Sequence, residues 1–108
     1  MVPKRIKKII QFYKKDLERK IGIEKMILFG SWARGKAKKD SDIDLLILSR
    51  DFSKMNSDQR LDLLQRERKN PKTWNYGMDI FGVTPEEFKK ASLLTTLGEI
   101  KKTGVVIS

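Results

Sequence analysis

Asp42 and Asp44 open the stretch Asp-Ile-Asp-Leu-Leu-Ile-Leu-Ser at residues 42 to 49. The later half of that stretch is apolar at successive positions, which predicts a central strand covered on both faces. Side chains two apart on a strand leave the same face, so the two carboxylates are forced to be neighbours. At about 4 Å such charges repel by roughly 4 kcal/mol at an effective dielectric of 20, and an ionised pair beside an apolar strand therefore calls for a cation or a proton between them. Magnesium suits the position because it prefers oxygen ligands and is commonly shared between protein carboxylates and substrate phosphates. Asp79 interrupts the next strand-like pattern, between Met78 and Ile80, where an adjacent strand would bring it beside the pair. Three carboxylates there could support two metal ions. Asp51, Asp58 and Asp62 are rival third ligands, but they fall where caps and exposed helix turns are expected.

A second feature suited to chemistry is Gly30-Ser31, at a break between an apolar strand and a following turn. Glycine lets the backbone approach a phosphate closely, a serine hydroxyl can donate to one, and a helix beginning there would add free N–H groups. Arg34, Lys36, Lys38 and Lys39 follow with no acid until Asp40, so a basic loop adjoins the acidic pair. That juxtaposition suits a metal-bound triphosphate.

Composition limits the alternatives. The chain has 108 residues, no cysteine and no histidine, which removes disulfides, thiolate zinc sites, cysteine nucleophiles and the commonest general base. Any catalysis must use carboxylates, hydroxyls, amines and hard metal ions. Lys and Arg number 24 against 14 Asp and Glu, a formal charge of +10 that favours anionic partners. Much of that excess lies in residues 1 to 20, and it reads either as the solvated face of an amphipathic helix or as a nucleic-acid surface. With 39% hydrophobic residues and no apolar run long enough to span a bilayer, the expectation is a single soluble, cytoplasmic domain over residues 1–108.

The elements that must position these groups follow from periodicity. Pro3 and the spacing of Ile6, Ile9, Ile10, Tyr13, Leu17 and Ile21 predict a helix over 3–21. Met26 to Phe29 predict a short buried strand, and Ser31 a cap for a turn of helix through Arg34. After the strand at 42–49, caps at Asn56, Ser57 or Asp58 start a helix carrying Leu61, Leu63 and Leu64. A third strand is expected over 75–83, then a helix opened by a Thr84 and Glu87 capping box with Pro85 at its first position. A last helix over 93–102 ends near Gly104, with a further edge strand at 105–107. Trp32, Trp74 and Tyr76 read as packing residues, with stacking on a base as the alternative.

The text Gly30-Ser31-Trp32-Ala33-Arg34-Gly35-Lys36-Ala37, followed by Ser41-Asp42-Ile43-Asp44-Leu45-Leu46-Ile47, closely resembles the minimal nucleotidyltransferases of the DNA polymerase β-like superfamily. The resemblance covers nearly the whole chain. It implies an α/β (α+β) fold, a short mixed β-sheet flanked by helices with a palm-like nucleotidyltransferase core. It further implies that Asp42, Asp44 and Asp79 hold two Mg2+ ions, with Mn2+ as an alternative, and that Asp79 helps deprotonate an acceptor hydroxyl. Gly30 and Ser31 would hold the triphosphate of ATP, Lys36 would add positive charge, and Arg34 would contact phosphate or pair structurally within the motif. Members of this kind are often encoded beside a small all-helical partner of the HEPN type and act as antitoxins that modify it on tyrosine.

The reading that results is transfer of AMP from ATP to a hydroxyl of a macromolecular acceptor, within a homo- or hetero-oligomer. Two others compete with it: a non-catalytic antitoxin that occludes its partner, and a basic domain that binds nucleic acid through its first helix.

Overall fold

A computed structural model describes residues 2–107. The chain opens with helix α1 (Lys4–Leu17), whose Ile6, Ile10, Tyr13 and Leu17 form a single fully buried stripe. The helix stops earlier than its apolar period suggests. Arg19 and Lys20 donate back to Asp16 and Leu17 over three residues, and this tighter turn still delivers Ile21 to the core. Strand β1 (Lys25–Phe29) follows, then strand β2 (Ile43–Leu48), a 3₁₀ turn (Arg50–Lys54) and helix α2 (Ser57–Arg66). Asn56 caps α2 reciprocally with Gln59.

The third strand, β3 (Met78–Val83), is shorter than expected because residues Pro71–Asn75 form a 3₁₀ helix capped by Asn70. Helix α3 (Pro85–Lys90) starts at the Thr84 and Glu87 capping box. Helix α4 (Thr96–Thr103) begins three residues later than expected, capped by Thr95, and leaves Leu93 and Leu94 exposed outside it. Strand β4 (Val105–Val106) closes the order. No helix among the described residues is long and apolar enough to cross a membrane.

The four strands form one mixed sheet in the order β3-β2-β1-β4, with β2 and β3 parallel and the other pairs antiparallel. Alternation divides its side chains sharply. One face carries Met26, Leu28, Ile43, Leu45, Ile47, Met78 and Ile80, packed on the α1 stripe and Leu64. Tyr13 sits fully buried in that layer and donates to the Leu64 carbonyl at 2.7 Å, tying α1 to α2, and burial holds its phenol well above the ordinary range. The opposite face carries Ile27, Leu46 and Leu48 under Ile100 of α4. That cover is partial, and the sheet end bearing Asp44 and Asp79 lies beyond it.

Candidate active site

Asp44 and Asp79 are direct partners in the parallel register of β2 and β3, and Phe29 is the partner of Asp44 on β1. All three project from the face opposite the α1 layer. Asp44 is half-buried while Asp79 is exposed. Burial is the main cause that raises the Asp44 carboxyl to about 6, followed by the Asp79 charge, a hydrogen bond with Asp79 and the Asp42 charge, with Arg34 acting in the opposite sense. Asp44 thus keeps its proton up to mildly acidic pH.

Asp42 lies one residue before β2 and is exposed. It is electrostatically coupled to Asp44, though less strongly than Asp79 is. Among the described residues no three carboxylates converge tightly enough to form a metal-binding group. The arrangement is therefore a close pair with a third carboxylate nearby, looser than the three-ligand cluster expected from sequence. Its donors are all oxygen, and the Asp79 and Asp42 charges crowd Asp44 with a repulsion that a hard divalent cation would relieve, so the residues present fit such an ion.

Two glycines make room for these carboxylates. Gly30 has φ of +74°, and a Cβ there would overlap the Asp44 carboxylate. Only glycine combines that left-handed backbone with so close an approach. Gly77, whose carbonyl accepts from the Ile43 N–H at 2.8 Å, similarly faces Asp42, whose carboxylate a Cβ would overlap. Sequence reasoning missed Gly77. Its signal was present: Gly77-Met78-Asp79 runs beside Asp42-Ile43-Asp44 in parallel, with a space opposite one carboxylate and an acid opposite the other.

Residues 31 to 35 form hydrogen-bonded turns and no helix. Arg34 N–H reaches the Gly30 carbonyl at 3.1 Å and Lys36 N–H the Ser31 carbonyl at 3.0 Å. The expected helix start at Ser31 is thus corrected: Gly30 bends the chain into a compact turn, and no helix dipole is available there. Trp32 is buried rather than free to stack, and its indole N–H donates to the Ser41 carbonyl at 2.9 Å. That bond fastens the basic loop beginning at Lys36 to the mouth of β2. Arg34 and Lys36 are exposed and belong to none of the ion pairs among the described residues.

The rival aspartates lie elsewhere. Asp51 accepts from the Gly22 N–H at 2.8 Å, at the far end of β2. Asp58 occupies the first turn of α2, and Asp62 pairs with Arg66 on the same helix. A further feature not foreseen is an apolar groove of about 580 Å³ on the face that bears the aspartates, lined by Phe29, Leu46, Leu61, Phe81, Leu97 and Ile100 among others. The Phe29 and Phe81 rings stand 6.2 Å apart at its carboxylate end.

The family model described as a nucleotidyltransferase domain matches residues 6–106. A Methanocaldococcus jannaschii protein, provisionally assigned as a protein adenylyltransferase, is 30% identical over 101 residues, which are 92% of this chain and 95% of that protein. Protein adenylyltransferase MntA of Thermococcus cleftensis is 40% identical over 52 residues, 48% of this chain, and the match spans only 50% of that relative's length.

Among solved structures, a provisionally assigned nucleotidyltransferase of Sulfolobus solfataricus superposes with a TM-score of 0.61 at 22% identity, covering 95% of this chain and 76% of its own. A toxin-antitoxin structure with AMP-PNP gives a TM-score of 0.64 at 21% identity, covering 94% and 72%. At such identities these two likenesses concern the fold alone. The family pattern runs through almost the whole sequence and a relative matches over nearly its full length, so this chain belongs to the nucleotidyltransferase domain family.

Proposed function

We propose that this chain transfers AMP from ATP to a hydroxyl of a protein partner, with a tyrosine of a HEPN-type protein as the acceptor and neutralisation of that partner as the outcome. The observation that carries the reading is the Asp44 and Asp79 pair, set in register on an uncovered sheet face against the Gly30 turn. Asp42, Asp44 and Asp79 would hold Mg2+ or Mn2+, which when bound supplies charge neutralisation at the triphosphate and acidifies the attacking hydroxyl.

The chain's own residues would perform the remaining work. Gly30 and Ser31 bring backbone and hydroxyl donors to the phosphates. Arg34 and Lys36, exposed and free of ion pairs among the described residues, would meet phosphate charge. This favours the phosphate-contacting role for Arg34 over the structural one. The acceptor oxygen bonds to the α-phosphorus as the bond from that phosphorus to the bridging oxygen breaks and pyrophosphate leaves. Asp79, the more exposed member of the pair, would take the hydroxyl proton.

The apolar groove beside the carboxylates supports a protein acceptor, because it offers a partner surface adjoining the reacting centre. Protein adenylyltransferase is also the name carried by the relatives at 30% and 40% identity. Incubation with ATP labelled in its α-phosphate, magnesium and a co-encoded partner should label that partner. Asp42→Ala with Asp44→Ala should abolish the label, and undiminished labelling by that double variant would refute the mechanism. A double variant that still neutralises the partner without labelling it would replace this reading with simple occlusion.

A further inference from the structure

A second concavity, of about 1080 Å³, lies between α1, the basic loop and the 3₁₀ helix Pro71–Asn75. Its volume exceeds the usual range of small-molecule sites, about 300–1,000 Å³, and suits a segment of chain. Arg5, Lys8, Lys39 and Lys72 supply positive charge to it, Asp40 is the one acid in its lining, and none of the four cations is ion-paired among the described residues. Aromatic rings are interleaved with the charges. Lys72 Nζ lies 4.8 Å from the centre of the Phe12 ring, and the Arg5 guanidinium 5.3 Å from that of Trp32.

Asn75 and Tyr76 are shared with a shallower depression that reaches Gly77 and includes Trp74. Trp74 is 62% exposed. The two depressions thus form one track, from the cations of α1 past Tyr76 and Trp74 to the glycine that faces Asp42.

We propose that this track binds single-stranded nucleic acid, with phosphates on the four cations and bases on Tyr76 and Trp74. Charge alone would serve any polyanion. The exposed Trp74 ring and the half-buried Tyr76 ring are what favour a polynucleotide, because unpaired bases stack on aromatic faces while a cationic groove follows the backbone. A duplex keeps its bases stacked on each other and could use only the charge. Only part of the basic first helix takes part. Arg5 and Lys8 line the groove, whereas Lys4, Lys7 and Lys15 are exposed and do not. The inference goes beyond nucleotide transfer and does not depend on it.

The test is a binding titration of the full chain with fluorescein-labelled oligo(U) and oligo(dT) of about 12 nucleotides, a length within the usual single-strand site sizes. Four phosphate contacts should give a slope of about −2.8 in log affinity against log salt. Trp74 fluorescence should be quenched on binding, and the buried Trp32 should contribute little to the change. Lys8→Glu with Lys72→Glu should weaken binding by about tenfold or more and make the slope shallower by about 1.4. Lys25→Glu with Lys54→Glu changes net charge equally at the far end of the sheet and should leave affinity within about twofold. Trp74→Ala should cost about fivefold or more.

Equal losses from the two charge-reversal pairs would overturn the site, as would a duplex or polyglutamate binding as tightly as the single strands. So would an unquenched Trp74. Tighter binding of the ribo- or the deoxy-oligonucleotide identifies which strand the track takes, and either result supports it.

Discussion

Asp44 and Asp79 stand opposite each other across the parallel β2–β3 ladder, and the half-buried Asp44 retains a proton up to about pH 6. The folded value lies above the ordinary 3.8, so the folded state binds more protons between those limits. Stability from the Asp44 carboxyl is therefore complete below about pH 3.8 and is lost as pH rises through about 6. In EDTA, Asp44→Asn should raise stability at pH 7.5 by about 1 kcal/mol, well under the full linkage value because the carboxyl is half-exposed. The gain should shrink towards zero at pH 4. Thermal unfolding at both pH values checks this, and a destabilised variant at pH 7.5 would contradict the crowding of the two acids.

Arg60 fastens four segments. Its side chain is 14% exposed, and its guanidinium donates to the carbonyls of Phe52, Met55 and Gly82 as well as to Glu87 at 2.7 Å. That hydrogen bond is the main cause holding the Glu87 carboxyl below its usual range. The resulting stability is present above the ordinary value of 4.5 and is lost as pH falls through the depressed one. Glu87→Gln should cost about 1 kcal/mol at neutral pH, since Glu87 is largely solvated. Arg60→Met should cost more, about 2–3 kcal/mol, because it strands three carbonyls. Urea unfolding of the two variants should rank them in that order, and the reverse order would mean that the ion pair dominates the carbonyl contacts.

What could be read from the sequence was what local spacing dictates. Alternation alone puts Asp42 and Asp44 on one face, and the Thr84, Pro85 and Glu87 pattern sets the start of α3. The interruption of an apolar run by Asp79 pointed to its place beside Asp44, but the parallel register joins strands separated by 29 residues that include α2. No local rule fixes that alignment. The end of α1 and the turn after Gly30 were misread because tight turns keep the same apolar phase, or the same cap residue, as the helices expected there. The two grooves were invisible for a related reason: each is a space between segments distant in sequence, and the signal at Gly77 has meaning only once the β2–β3 register is fixed.

Trp32 holds the basic loop through the Ser41 carbonyl. Trp32→Phe keeps most of the buried ring but leaves that carbonyl without its indole donor, at a cost of about 1–2 kcal/mol. The loop would also open more often, exposing the bonds after Lys36, Lys38 and Lys39. Limited trypsin digestion should cut the variant there faster than the parent, before general unfolding. Identical digestion patterns would show that the loop is held by something other than the indole.

The two glycines beside the carboxylates should respond differently to alanine. At Gly30 the left-handed backbone and the Asp44 carboxylate both oppose a Cβ, so Gly30→Ala should lose about 2 kcal/mol of stability together with the function of Asp44. At Gly77 the backbone is ordinary and the obstacle is the carboxylate of Asp42, an exposed side chain that can swing away. Gly77→Ala should therefore unfold within about 0.5 kcal/mol of the parent while AMP transfer to the partner falls about tenfold or more, since Asp42 is displaced from the reacting centre. Parallel thermal unfolding and labelling assays separate the two effects. A Gly77→Ala protein with undiminished transfer would mean that the position of Asp42 does not matter to the reaction, and a Gly30→Ala protein as stable as the parent would mean that the turn tolerates a side chain its geometry opposes.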